Sequence, residues 1–339
     1  TSREHFEHRA ALVAANREEA GEALRLLARG GTSRALSTGI GRRAPKIAWQ
    51  FTGQGAQYAG MTRGLYDTHA AFRDAIDQCD AGLRALRGES LLDVLFGDDD
   101  RGDDAVGDDA RIDHTRWTQP GIFAVQMGLA KLLESWGLRP DVVWGHSVGQ
   151  YAAACVAGIM SWDDGLKLIS ERGQLIGALP EGGKMLAAFT TPDGISKVIA
   201  SIQEVSLAAD NGTHVVVSGP ALAIDQVEGV VKEQGTRCKP LNTSHAFHSS
   251  LMEPALDPFQ QVAESVRYEK ARIPLICNRT GQVLAADAVV DGAYWARHIR
   301  EPVRFAESIE TAQEIGCEVI VELGPQSVLT RMAAGVWRA

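Results

Sequence analysis

The chain has no run of apolar residues long enough to cross a bilayer; its longest apolar stretch, around Ala152 to Met160, reads as a buried helix, so no membrane partner is expected. It has no C-x-x-C pair either. Its five cysteines, Cys79, Cys155, Cys238, Cys277 and Cys317, are scattered and odd in number, which argues against a disulfide scaffold and fits a reducing cytoplasm. Basic residues are not in excess: 34 Lys and Arg stand against 43 Asp and Glu, a formal net charge of −9. That balance speaks against a surface that tracks phosphates, so no nucleic-acid partner is expected, and an acidic substrate would have to meet a local cation. Thr1 is not an initiator Met and nothing near it resembles a signal peptide, so the chain reads as part of a longer polypeptide or as a processed one.

What is present is an ordinary globular composition, 45% hydrophobic and 23% charged over 339 residues, enough for one sizeable core with a smaller accessory unit. Residues 1–44 are rich in Ala, Glu, Arg and Leu and read as a short helical linker remnant. Lys46 to Phe51 and Val142 to Trp144 read as buried strands, and their alternation with helices favours a parallel α/β sheet. Between Gly97 and Asp109 seven aspartates crowd together without the spacing of a calcium loop, and read as a solvated surface insertion. From Gly182 to Ser244 the pattern shifts to short strands, Met185 to Phe189 and His214 to Ser218, with a helix from Leu222 to Gln234. This predicts an inserted α+β subdomain.

Gly145-His146-Ser147-Val148-Gly149 matches G-x-S-x-G, preceded by a predicted strand and followed by a predicted helix from Val148 to about Ala157. Glycines on both sides permit a sharp turn that exposes the Ser147 hydroxyl at a helix N-terminus, where the backbone N–H of Val148 is the natural donor to an oxyanion. A serine hydroxyl needs a base, and His245 and His248, in Thr243-Ser244-His245-Ala246-Phe247-His248-Ser249, are the prominent histidines. Spacing alone does not choose between them, and no Asp or Glu in that loop completes a triad. A zinc reading of the same pair lacks both H-E-x-x-H and a third ligand.

Ser161-Trp162-Asp163-Asp164 opens an amphipathic helix whose apolar stripe includes Trp162, Leu166, Ile169 and Ile176, and Arg172 falls on that stripe. A core-facing guanidinium needs a carboxylate, either from the protein or from a substrate. A short connection from the preceding helix folds the two side by side and brings Arg172 back towards Ser147, which favours a clamp for a substrate carboxylate.

Together these residues resemble the malonyl-CoA:acyl-carrier-protein transacylase family, and within it the acyltransferase domains of type I polyketide synthases. The matching stretches run in order from about Pro45: Phe51 to Gln57, Thr118-Gln119-Pro120, Gly145 to Gly149, Glu171-Arg172-Gly173, His245 to Glu253, Trp295 to Phe305, and Glu322 to Pro325. The resemblance implies an α/β-hydrolase-like large subdomain with a parallel sheet, at 45–181 and 245–339, and a ferredoxin-like α+β small subdomain at 182–244. It implies Ser147 as nucleophile, His248 as base, the backbone N–H groups of Gln54 and Val148 as oxyanion hole, and Arg172 as holder of the malonyl carboxylate. Gln119 would line the site, and a main-chain carbonyl at His298 would orient His248.

The tetrad His245-Ala246-Phe247-His248 is the form that such domains associate with malonyl, and a bulky Phe247 leaves less room for an α-methyl branch. The expected activity is malonyl transfer from malonyl-CoA to the phosphopantetheine thiol of an acyl carrier protein, with a ketosynthase as neighbour and neither metal nor redox cofactor. Gln150 departs from the Glu usual after the elbow in this family. The rival readings are a serine acyl hydrolase, which would not need a buried cation, and a catalytically silent docking domain, against which intact Ser147 and His248 count.

Overall fold

The computed structural model describes residues 6–41, 43–97, 111–285, 287–288 and 290–337. The aspartate-rich insertion therefore lies, from residue 98 onward, outside the described residues. The chain divides into two compact units, Thr1–Pro45 and Lys46–Ala339.

In the first unit the predicted helix spans Arg17–Ala28, where Asn16 accepts from the Glu19 backbone N–H at 2.9 Å and the Glu19 carboxylate accepts from the Ala15 N–H at 2.9 Å. The two ends thus satisfy each other's free groups. The unit is not purely helical, however. Strands His8–Leu12 and Leu36–Ile40 pair antiparallel, from His8 opposite Ile40 to Leu12 opposite Leu36. Both are exposed along nearly their whole length, so they carry no in-and-out alternation from which a strand could be read.

In the second unit the elements that position the site are, in chain order, β1 (Ile47–Phe51), α1 (Thr115–Ser135), β2 (Val142–Gly145), α2 (Gly149–Ala157) and α3 (Trp162–Gly177). An insert follows: β3 (Gly183–Ala188), α4 (Pro192–Ser201), β4 (Ser206–Asp210), β5 (Val215–Pro220), α5 (Ala221–Glu233) and β6 (Cys238–Pro240). The chain returns through β7 (Ile276–Cys277), α6 (Gly292–Arg300), β8 (Val303–Arg304) and β9 (Val319–Leu323).

The large sheet is parallel, in the order β9-β1-β2, with Leu323 beside Phe51 and Phe51 beside Gly145. Trp49 and Trp144 at its centre are fully buried, as expected of strands covered on both faces. The register brings the carboxyl ends of β1 and β2 level, so the Gly53-Gln54-Gly55 turn and the Ser147 elbow leave the sheet at the same edge. That edge is where open α/β sheets build their sites. His146 N–H continues the pairing past the strand, donating to the Phe51 carbonyl at 2.9 Å.

The insert has the βαββαβ order of a ferredoxin-like unit, β4-β5-β3-β6, all antiparallel, around its own core of Leu186, Val215, Val217, Ile224 and Val227. Its sheet extends beyond residues 182–244, the bounds expected from the sequence. Strand β8 joins the β4 edge in parallel, with Val303 opposite Ala209. The reason is local: Pro302 forces Glu301 out of helical conformation, and the chain leaves α6 extended beside the open edge of β4.

The elbow depends on its glycines. A Cβ on Gly149 would fall on the carbonyl oxygens of Phe51 and Thr52, and one on Gly145 on the backbone of Gly149 and Gln150. Gly149→Ala is therefore expected to cost about 4 kcal/mol or more, the size reserved for forced backbone clashes. A urea midpoint within experimental error of the wild type would contradict this close approach.

Candidate active site

Ser147 sits at φ +49° between the end of β2 and the start of α2, and His248 sits at φ +59° in the loop after the insert. Only four non-glycine residues among those described have positive φ, and these are two of them. Such a conformation costs on the order of 1–3 kcal/mol per residue and persists where the surroundings hold it. Here the strain aims two side chains at each other: Ser147 Oγ donates to His248 Nε2 at 2.8 Å. His248 Nδ1 in turn donates to a backbone carbonyl at 2.8 Å, which fixes the tautomer and leaves the Nε2 lone pair facing the hydroxyl.

That carbonyl belongs to Glu301, and this corrects the expectation that His298 would supply it. Pro302 is again the cause. It holds Glu301 at φ −78°, ψ 154°, so the carbonyl swings off the axis of α6, whereas His298 lies inside the helix, where its carbonyl points along the axis. The His298 ring, only 1% exposed, has no hydrogen-bond partner on either nitrogen among the described residues and packs edge-on to Tyr151 at 5.4 Å. Burial, then the Arg172 charge, keep it well below the usual imidazole value.

Ser147 is also less exposed than an elbow serine read from the sequence, at 9%. His146 Nε2 donates to Asn211 Oδ1 at 2.9 Å, just past β4, and Asn211 Nδ2 donates to His214 Nε2 at 3.0 Å, tying the elbow to the small sheet. Nothing local in the sequence links His146 to Asn211, 65 residues apart; only the fold brings them together.

The two prominent histidines have separate surroundings. His245 accepts from Ser244 Oγ at 2.9 Å and donates to the Leu179 carbonyl at 3.2 Å, and makes no hydrogen bond to Ser147. Through Ser244 it is linked to Thr115 Oγ1 at 3.2 Å, and Thr115 Oγ1 accepts from Gln54 Nε2 at 2.9 Å. His245 therefore belongs to the chain of bonds that holds the Gln54 turn. Phe247 is buried, its ring centroid 6.2 Å from that of His245. The backbone N–H groups of Gln54 and Val148 donate to no acceptor among the described residues, as free oxyanion donors would.

Arg172 is 1% exposed on α3, and among the described residues no carboxylate pairs with it; its Nε and Nη1 have no hydrogen-bond partner. Burial pulls the guanidinium below its ordinary value, with the neighbouring Tyr151 opposing. Gln119, on α1, is likewise fully buried, and neither amide atom has a hydrogen-bond partner among the described residues. Gln150 has a partner at both ends of its amide: it accepts from the Gly145 N–H at 2.8 Å and donates to the Ile276 carbonyl at 3.0 Å. A carboxylate could not make the second bond, so the amide serves here as a brace between β2 and β7.

Burial, then the Arg172 charge, push the His248 imidazole down to about 3, against the pull of the Glu301 carbonyl. His248 is thus neutral and able to accept a proton over the whole working range. Serine acylation is expected to stay level as pH falls from about 8 to about 5, without the inflection near 6.5 of an ordinary histidine. A half-loss of rate near pH 6.5 would contradict it. The sign for stability follows the same shift. The unfolded chain takes up a proton on His248 that the folded chain refuses, so stability is full above about pH 6.5 and declines as pH falls towards the folded value.

The model of the acyl transferase domain family matches residues 48–337 of the chain. Polyketide synthase GfsA of Streptomyces halstedii is 37% identical over 335 residues, which cover 98% of this chain and 4% of that synthase. The chain therefore spans a small part of that relative's length. Among solved structures, the acyltransferase domain from the second module of the salinomycin polyketide synthase superposes with a TM-score of 0.89 at 41% identity, covering 97% of this chain and 75% of the other. The malonyl CoA-acyl carrier protein transacylase of Clostridium perfringens superposes with a TM-score of 0.78 at 26% identity, covering 86% of this chain and 90% of the other.

Proposed function

Since the chain belongs to the acyl transferase domain family, we propose that it carries malonyl units from malonyl-CoA, as an ester on Ser147, to the phosphopantetheine thiol of an acyl carrier protein in polyketide assembly. The observation that carries this reading is the buried Arg172, whose Nε and Nη1 find no hydrogen-bond partner among the described residues. A guanidinium taken out of water without an anion is costly, and a substrate carboxylate is the partner that relieves it. An acyl group with a free carboxylate is thereby favoured over acetyl. The buried Phe247 beside His245 favours malonyl over methylmalonyl by the worth of one methyl, about 1–3 kcal/mol.

In this mechanism His248 Nε2 takes the Ser147 proton as Oγ attacks the thioester carbonyl. The oxyanion is held by the N–H groups of Gln54 and Val148. The intermediate collapses, breaking the C–S bond, and the proton on His248 passes to the departing CoA sulfur. The carrier thiol then repeats the sequence in reverse, giving its proton to His248, attacking the ester and releasing Ser147 with its proton restored.

The test is to mix the protein with malonyl-CoA and a phosphopantetheinylated carrier protein and follow the carrier's mass. Malonyl on the carrier thiol, at a rate above that of free malonate release, is the expected result. Release of malonate with an unloaded carrier would favour the hydrolase reading instead.

A further inference from the structure

The carbonyl that orients His248 belongs to a residue whose side chain is itself held. Arg279, just past β7, donates from Nε at 2.8 Å and from Nη2 at 2.6 Å to the same carboxylate oxygen, Oε2 of Glu301. Its side chain is largely buried and lies 5.1 Å from the centroid of the Tyr294 ring, so the guanidinium has little freedom to swing. Three residues on, the Arg304 N–H donates to the Asn278 carbonyl at 2.7 Å. The segment 301–304 is therefore fastened at both ends to residues 278 and 279, with the rigid Pro302 between.

We infer that the Arg279–Glu301 ion pair positions the catalytic base, by holding the Glu301 carbonyl against His248 Nδ1. The inference rests on the reading of His248 as base to Ser147. The Glu301 side chain is 38% exposed, and an ion pair open to solvent on one side contributes little to stability, so this pair's weight falls on geometry. His248 has a strained backbone conformation, and among the described residues its ring makes two hydrogen bonds, to Ser147 and to Glu301. If the carbonyl drifts, the imidazole loses both its orientation and its preference for the proton on Nδ1, and proton transfer from Ser147 slows. Donor binding at Arg172, on a different helix, is untouched. The effect is on the rate of attack and not on KM.

Two reactions read this separately. A fluorophosphonate reagent labels an activated serine whatever its natural donor, with fluoride leaving as Oγ bonds to phosphorus, and malonyl-CoA reads acylation itself. Arg279→Met and Glu301→Gln are each expected to slow both reactions by about tenfold to a hundredfold, the scale of a small misplacement of a catalytic group. KM for malonyl-CoA and the melting temperature should stay near wild type. Arg279→Lys should recover part of the loss, and the exchanged pair, Arg279→Glu with Glu301→Arg, should recover more than either single reversal. Labelling rates equal to wild type in both neutralised variants would overturn the inference, as would losses that track KM and melting temperature together without rescue. A wild type that reacts with the fluorophosphonate but not with malonyl-CoA would count against the donor assignment alone, and the labelling rates would still decide the role of the pair.

Discussion

Ser147→Ala is expected to form no acyl adduct with malonyl-CoA and to lose about six orders of magnitude in transfer, the scale of removing a serine nucleophile from its base. The fold should survive. Among the described residues the hydroxyl makes one hydrogen bond, to His248, whose loss is worth about 1 kcal/mol. The strained φ of +49° is imposed by the elbow, so alanine inherits it without adding a clash. Equal melting curves for the two proteins, with an adduct on the wild type only, are the expected result. A Ser147→Ala protein that still gained the malonyl mass would place the nucleophile elsewhere.

The second large effect concerns Arg172→Ala. A buried arginine that braced the fold would need an internal carboxylate, and none pairs with it among the described residues. Its removal should therefore cost malonyl transfer the worth of a buried charge pair, about 2–5 kcal/mol. Acetyl transfer should hold level or improve, because the Arg172 charge also opposes protonation of His248 and its loss makes the base stronger. Rates of acyl-enzyme formation with the two donors check this. A malonyl-to-acetyl ratio unchanged from wild type would sink the clamp.

How much of this could be read from the sequence depends on whether a feature is local. The strands at Ile47–Phe51 and Val142–Gly145 and the helix carrying Arg172 declare themselves by apolar runs, spacing and the Ser161 cap, whose hydroxyl accepts from the Asp164 N–H at 3.1 Å. The G-x-S-x-G elbow is a five-residue event and was legible for the same reason. The exposed strands His8–Leu12 and Leu36–Ile40 were not, since neither face is buried and composition alone suggested helix.

Within the site, the choice between His245 and His248 lay beyond spacing, because it turns on a φ of +59° and on residues far along the chain. The Glu301 carbonyl was missed by three residues, although the Glu301-Pro302 dipeptide held the clue: a residue before proline leaves the helix and turns its carbonyl outward. The recruitment of Val303–Arg304 into the small sheet follows from that same dipeptide, whereas the His146–Asn211 tie joins residues 65 positions apart and has no local signal.

The central claim is that Ser147 takes a carboxylate-bearing acyl group from a CoA thioester. Mass spectrometry of the Ser147 peptide, after brief mixing of the protein with equal amounts of malonyl-, methylmalonyl- and acetyl-CoA, tests it in one measurement. The account predicts a malonyl ester on Ser147 in clear excess over the other two; an adduct dominated by acetyl, or none on Ser147, would contradict it.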